Sequence, residues 1–321
     1  MNFSESASAT AAQINSTLSS ALRCLLTGSI DYAGLFPPCE LPLESALQNH
    51  GRYLRSDESW MLNSFVLPAT QFRAASPYFS RFDAEHPLRV SALGSKSQNA
   101  AEFSEKLAAT AESIRQLQTE NRAEVSVAQL EIPVPSDCDL GLLAALHDAT
   151  VKLGLRVFCE APPTDAERTI AVLAQNNTTR HSPLGFKLRT GGVTADAFPP
   201  SEQIGRALVA ATRDHVPIKF TAGLHHPVRQ FRTEVNGKMY GFLNVLGAGI
   251  LAAEHAWDEK TTIQMLDDED PHSFVFERNT FAWREWKITA DAIRSHREVV
   301  TSFGSCSFDE PRDDLRALGL L

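Results

Sequence analysis

Cysteine is scarce in this sequence and never spaced for a job. The five present, Cys24, Cys39, Cys138, Cys159 and Cys306, are odd in number, scattered, and form no CxxC pair. That pattern indicates neither a disulfide framework nor a zinc knuckle, and it fits a reducing compartment. Long apolar runs are missing as well. The longest apolar piece, residues 240–253, is broken by Asn244 and three glycines, and a membrane span needs roughly 18 to 20 uninterrupted residues. The opening MNFSESASATAAQ has neither a basic nor an apolar region, so no export signal is expected and a cytoplasmic location is. Positive charge is in deficit: 30 Lys and Arg stand against 39 Asp and Glu, a formal charge of -9. Nucleic-acid binding needs a concentrated basic surface, which argues against such a partner. The expected partner is a small-molecule substrate, with no membrane and no nucleic acid.

What the chain does have is an alternation. Eight short apolar or β-branched runs recur, at residues 30–36, 60–68, 88–93, 124–134, 155–161, 184–190, 217–223 and 300–308. Nearly all are followed by a turn signal and an amphipathic stretch, the rhythm of parallel βα units. The clearest of those stretches are residues 100–117, 140–153, 165–174, 201–213 and 240–256. Eight strands close an α/β TIM-type barrel of the (β/α)8 kind, although a doubly wound open sheet shares the alternation. Residues 1–12, rich in Ser and Ala, read as a frayed terminus, and 13–321 as one barrel domain. Ile14, Leu18, Leu22, Leu25 and Leu26 keep helical spacing, which predicts an N-terminal helix closing the barrel bottom. Residues 274–288, FVFERNTFAWREWKI, alternate around a polar turn and predict a β-hairpin inserted before strand eight. Its aromatics Phe281, Trp283 and Trp286 serve burial against the barrel, a lid, or a contact between subunits; homodimerisation rests on base rates alone.

Reactive side chains of such a barrel project from the carboxyl ends of its strands. On strand six Lys187 and Arg189 stand two apart and share one side, while Phe186 and Leu188 share the other. Strand seven repeats this with Lys219 and Thr221. If the two strands are neighbours in register, like-charge repulsion and partial burial are expected to lower the pKa of one amine, and a neutral amine near pH 7 is a nucleophile. A rim lysine reaching solvent is the alternative.

Lys187-Leu-Arg-Thr190-Gly191 resembles the Lys-x-x-Thr-Gly motif of class I aldolases of the deoxyribose-phosphate aldolase type. In that family the motif lysine forms a Schiff base and a second lysine on strand seven depresses its pKa. The resemblance implies those roles for Lys187 and Lys219. It spans residues 187–223, with Gly223 four residues past Lys219. Arg189 replaces a small polar residue and strand seven lacks the family's double glycine, which weighs against a phosphorylated substrate.

Other candidates gather at the same end. His225 and His226 follow strand seven; imidazole serves as acid, base or metal ligand, and one of the two is expected in the site and the other in a structural role. Glu131 on strand four, Glu160 on strand five and Asp31 on strand one are available to balance the lysines, to move protons or to bind substrate. Ser305, Ser307 and the start of a helix near Pro311 offer an anion cradle. Cys306 reads as a buried structural thiol rather than a nucleophile.

Three functions fit these residues. The first is a carbon–carbon lyase without a cofactor, in which Lys187 forms an iminium, Lys219 tunes it, Arg189 grips an anionic group and His225 or Glu131 moves a proton. The second is a metal-dependent lyase or isomerase acting on a sugar or hydroxy acid, with a divalent ion on Glu131, Glu160 and His225 or His226. The third is a non-catalytic barrel that binds an anionic metabolite.

Overall fold

The computed structural model describes residues 18–120 and 124–321. Residues 1–17, on which the expected frayed terminus and the start of the expected N-terminal helix fall, lie outside the described residues; the helix starts at Ser20, capped by Ser19, so Leu18 precedes it. Eight parallel strands close a barrel: β1 (Ile30–Tyr32), β2 (Leu62–Pro68), β3 (Leu88–Leu93), β4 (Val125–Pro133), β5 (Arg156–Glu160), β6 (Gly185–Arg189), β7 (Ile218–Thr221) and, last in the chain, β13 (Val300–Ser305). They follow one another around the wall in chain order, with β13 between β7 and β1. The fold is therefore an α/β TIM-type barrel, and the open sheet is excluded.

Helices fill the outside: α1 (Ser20–Leu26), α2 (Leu43–Tyr53), α3 (Phe72–Ala75), α4 (Ala100–Glu120), α5 (Leu140–Thr150), α6 (Ala166–Asn177), α7 (Ser201–Arg213), α8 (Phe242–His255), α9 (Glu259–Leu266), α10 (Ala290–His296) and α11 (Asp309–Ala317). Local chemistry starts several of them. The side chains of Asp139, Asp258 and Thr289 accept the amides of Leu142, Thr261 and Ala292, each satisfying an orphan donor of the first turn. The helices then bury one face on the barrel, as α7 does with Ile204, Ala207, Leu208 and Ala211. The strands are covered on both sides, which is why β13 is buried along its whole length.

Boundaries differ from the sequence reading where chemistry intervenes. β1 stops at Tyr32 because the chain turns back there, the Leu41 amide donating to the Gly34 carbonyl at 2.9 Å. β13 stops at Ser305, and α11 starts at Asp309 rather than near Pro311. α1 packs on α10 and the insertion. The inserted hairpin is there but has a third strand: β10 (Phe274–Phe276), β11 (Thr280–Trp283) and β12 (Trp286–Thr289). A second turn at Arg284, held at φ 52°, returns the chain so that Trp283 pairs with Trp286. Phe281 and Trp283 are buried, Phe281 lying against Gly247 of α8. A small hairpin of β8 (Gln230–Arg232) and β9 (Gly237–Met239) follows the double histidine and was not foreseen. Among the described residues no helix is long and apolar enough to cross a membrane.

One glycine shapes the floor beneath the site. A Cβ on Gly185 would fall 2.6 Å from the Phe158 ring and 2.7 Å from the Pro217 carbonyl oxygen. Only the absent side chain lets Phe158 lie across the inside of β6.

Candidate active site

At the carboxyl ends of the strands a cavity of about 430 Å³ opens, walled by β4 to β7, by the loop carrying Phe36, Pro37 and Pro38, and by the end of β13. Its base is an ion-pair chain. β6 and β7 are neighbours, and their register sets Lys187 opposite Lys219 and Arg189 opposite Thr221. Both lysines are buried, 5% and 1% exposed. Glu131 of β4 stands between them: Lys187 Nζ lies 2.7 Å from Oε2, and Lys219 Nζ donates to Oε1. Ser91 Oγ donates to Oε1 as well, at 2.5 Å, the third contact on this carboxylate. Lys187 also meets Glu160 Oε2 at 2.8 Å. Lys219 meets Asp31 Oδ2 at 2.8 Å and sits 5.4 Å from the centre of the Phe158 ring.

The expected effect of one lysine on the other is not what this arrangement does to Lys187. Burial alone would lower its pKa, but the negative charges of Glu131 and Glu160 outweigh burial and raise it above the ordinary lysine range. Glu131 answers in kind. Burial would raise its carboxyl, yet the two ammonium groups hold it far below the usual carboxylate range. Repulsion between the lysines is screened by the carboxylate both of them touch. In the resting site Lys187 is an ammonium ion, and two carboxylates are in reach of its protons.

The Thr-Gly half of the strand-six motif has a mechanical job. Thr190 Oγ1 donates to the Ala222 carbonyl at 2.7 Å, so it clasps the ends of β6 and β7 together. A Cβ on Gly191 would come within 3.1 Å of the Gly223 Cα, and Gly223 itself takes φ 76°. The clasp steers the chain directly into His225.

The rim carries free positive charge. Arg189 is exposed, lines the cavity, and has no hydrogen-bond or ion-pair partner among the described residues. Lys96, on the exit of β3, lines the same cavity with its ammonium likewise unpartnered. Lys96 was missed in the sequence, although the strand-end rule that picked out Lys187 applies to Gly94-Ser95-Lys96 after β3. Thr221 and Glu160 line the cavity as well, and Glu160 is the more open of the two carboxylates on Lys187, with 21% of its side chain exposed against 3% for Glu131.

The histidines divide. His225 lines the cavity with its Nδ1 3.1 Å from Glu310 Oε2. His226 lies outside that wall, bound through Nδ1 to Asp314 Oδ2 at 2.6 Å. Three other candidates are not brought to the cavity. Asp31 is wholly buried below it, its oxygens taken by Lys219, by Ser302 at 2.6 Å and by Asn63 at 2.7 Å, so it supports Lys219 rather than meeting a substrate. Strand alternation puts Gly304 and Cys306 on the cavity wall and leaves Ser305 off it. Ser307 Oγ accepts the Glu310 amide at 3.1 Å, and Asp309 and Glu310 fill the first turn of α11, where they repel an anion. The anion cradle expected of Ser305 and Ser307 is therefore not assembled.

The alternative metal set is not assembled either. Glu131 and Glu160 face Lys187, His226 faces Asp314, and among the described residues no group of three His, Cys, Asp or Glu is placed to hold an ion. No protein-family model matches the chain, and a search of the curated proteins finds no match.

Proposed function

We propose that this barrel is a lyase of the class I aldolase kind, which holds a small anionic carbonyl compound as an iminium on Lys187. The observation that carries the reading is the position of Lys187 Nζ at the cavity base, 2.7 Å from Glu131 and 2.8 Å from Glu160. Each group then has a step. Lys187 passes a proton to Glu160, the more open carboxylate, and the neutral amine adds to the substrate carbonyl. A second proton moves from the added nitrogen to the carbonyl oxygen, Glu160 returns the first to the hydroxyl so formed, which leaves as water, and the iminium remains. Glu131 keeps its charge throughout, because Lys219 stays on it, and steadies the cation on Lys187. The bond between the carbons α and β to the iminium carbon then breaks, its electron pair passing toward nitrogen to leave an enamine, while His225 takes the proton of the hydroxyl on the β carbon. Arg189 and Lys96 hold an anionic group at the rim, where no other described residue neutralises them.

Reductive trapping tests this. The protein is incubated with pooled aldehydes, ketones and 2-oxo acids plus borohydride, then weighed intact and mapped by peptide. An adduct on Lys187, absent from Lys187→Met, is expected. No adduct with any pool, or an adduct that Lys187→Met retains, refutes the reading.

A further inference from the structure

The sulfurs of Cys39 and Cys306 lie 3.0 Å apart, about 1 Å longer than a disulfide bond, although 267 residues separate them in the chain. Their approach is built into the barrel. Cys39 sits on the loop that leaves β1, and Cys306 is the residue after β13. β1 and β13 are neighbours, Tyr32 pairing with Ser305 and the Ala33 amide donating to the Ser305 carbonyl at 2.7 Å. The two thiols differ in access: Cys39 is exposed, and Cys306 is 5% exposed on the cavity wall. Beside Cys306 stands His225, with either ring nitrogen 4.0 Å from the sulfur. A proton on Nδ1 bonds to Glu310, which leaves Nε2 as the acceptor facing the thiol.

We infer that Cys39 and Cys306 are a reversible dithiol–disulfide pair at the mouth of the cavity, oxidised by exchange with a low-molecular-weight disulfide. Cys39, the exposed partner, attacks first as its thiolate. The small disulfide's bond breaks and one small thiol leaves, with Cys39 in a mixed disulfide. Cys306 gives its proton to His225 Nε2 and attacks the Cys39 sulfur. The mixed bond breaks, and the second small thiol leaves with a proton. The protein gives up two electrons and two protons, and the small disulfide takes up both. The order follows from burial, which with Cys39 alongside holds the Cys306 thiol above its ordinary range and makes it the slower first attacker. The bond ties the β1 loop, which supplies Phe36 to Pro38 of the cavity wall, to the end of β13. The mouth thus has an oxidised, stapled form and a reduced form in which the two sulfurs touch without a bond. None of this depends on iminium chemistry at Lys187.

The test uses the full-length protein, reduced and then equilibrated in graded mixtures of reduced and oxidised glutathione. Acid quenching, alkylation, intact mass and peptide mapping follow. Expected is a species lighter by two hydrogens, without glutathione, whose Cys39 and Cys306 peptides are joined. Cys306→Ser is expected to stop with one glutathione on Cys39, and Cys39→Ser to form no internal bond. Glutathione retained on Cys39 of the unaltered protein, or both thiols still alkylated in full under the most oxidising mixture, overturns the proposal. The mapping on the unaltered chain decides the matter even if a variant fails to fold.

Discussion

Replacing Glu131 by Gln removes the charge that two buried ammonium groups share while keeping the shape of the side chain. Breaking a buried ion pair on one side costs about 3 to 5 kcal/mol, because the partner charge is left uncompensated. Here each lysine keeps a second carboxylate, Glu160 for Lys187 and Asp31 for Lys219, so the lower end, about 3 kcal/mol, is the expected loss. With 321 residues the unfolding entropy near the midpoint is about 0.7 kcal/mol/K, and the melting midpoint should fall by about 4 to 5 °C. Scanning calorimetry at pH 7 reads this directly. The pH dependence supplies a second check. Glu131 has its carboxyl depressed below 4.5 in the folded state, so its contribution is complete above that pH and is lost as pH falls through the folded value. Lys187 is raised above 10.5, so its contribution is complete below 10.5 and is lost as pH climbs past it. The gap between Glu131→Gln and the unaltered chain should therefore hold steady across neutral pH and narrow below 4.5. A variant that melts within about 1 °C of the parent at pH 7 would refute the shared-carboxylate account, since about 0.7 kcal/mol is no more than an exposed pair contributes.

Four further outcomes are expected. Pairing Glu131→Gln with Lys219→Met should cost less than the sum of the two single changes, as a calorimetric double-mutant cycle would read. Arg189→Gln or Lys96→Gln should weaken stabilisation by a 2-oxo acid probe by about 10- to 100-fold in affinity, the value of a charged hydrogen bond, in thermal-shift titrations; unchanged titrations would remove the rim from the substrate site. Gly185→Ala should destabilise by about 1 to 3 kcal/mol in urea, because its methyl group meets Phe158 and the Pro217 carbonyl. His50, buried among aromatic rings with neither nitrogen partnered among the described residues, has its pKa lowered to about 3 by burial. Between 6.5 and that value only the unfolded chain takes the proton, so stability falls by up to about 1.4 kcal/mol per pH unit, and His50→Leu should remove that slope in urea titrations at pH 7 and 5.

The barrel was legible because its signal is a count that local errors do not change. Each of the eight runs read from the sequence contains one barrel strand, even where β1 and β13 stop several residues early. Periodicity registers a buried strand and the apolar turn beyond it alike, so Leu35, Phe36 and Phe308 extended the reading past the hydrogen-bonded ends. The elements that escaped had weak local signals. β8 and β9 are three residues each with little apolar content, and α9 is an eight-residue helix. β12 was folded into a two-stranded reading because a turn centred on Arg284 carries neither Gly nor Pro.

The candidate site was legible for a different reason, and it was misread for the same one. Charged residues at alternate positions of a strand that must face a barrel interior are conspicuous, because unpaired burial is costly. Lys187 and Lys219 stood out as a matched pair on successive strands, Glu131 and Glu160 by their places near strand ends, and all four line one cavity. What one strand at a time does not encode is which charges touch. Two lysines opposite each other in register read as mutual repulsion only while the stagger of β4 is unknown; that stagger carries Glu131 across the barrel to meet both amines. The sign of the Lys187 shift then follows from a residue 56 positions away in the chain, not from its register partner. The same distance hid Asn63, Ser91 and Ser302, short polar side chains that look like ordinary strand residues until the closed wall sets each on a carboxylate. A lysine at the base of such a chain must lose its proton before it attacks, so chemistry at Lys187 turns on whether Glu160, at the open end, can take it.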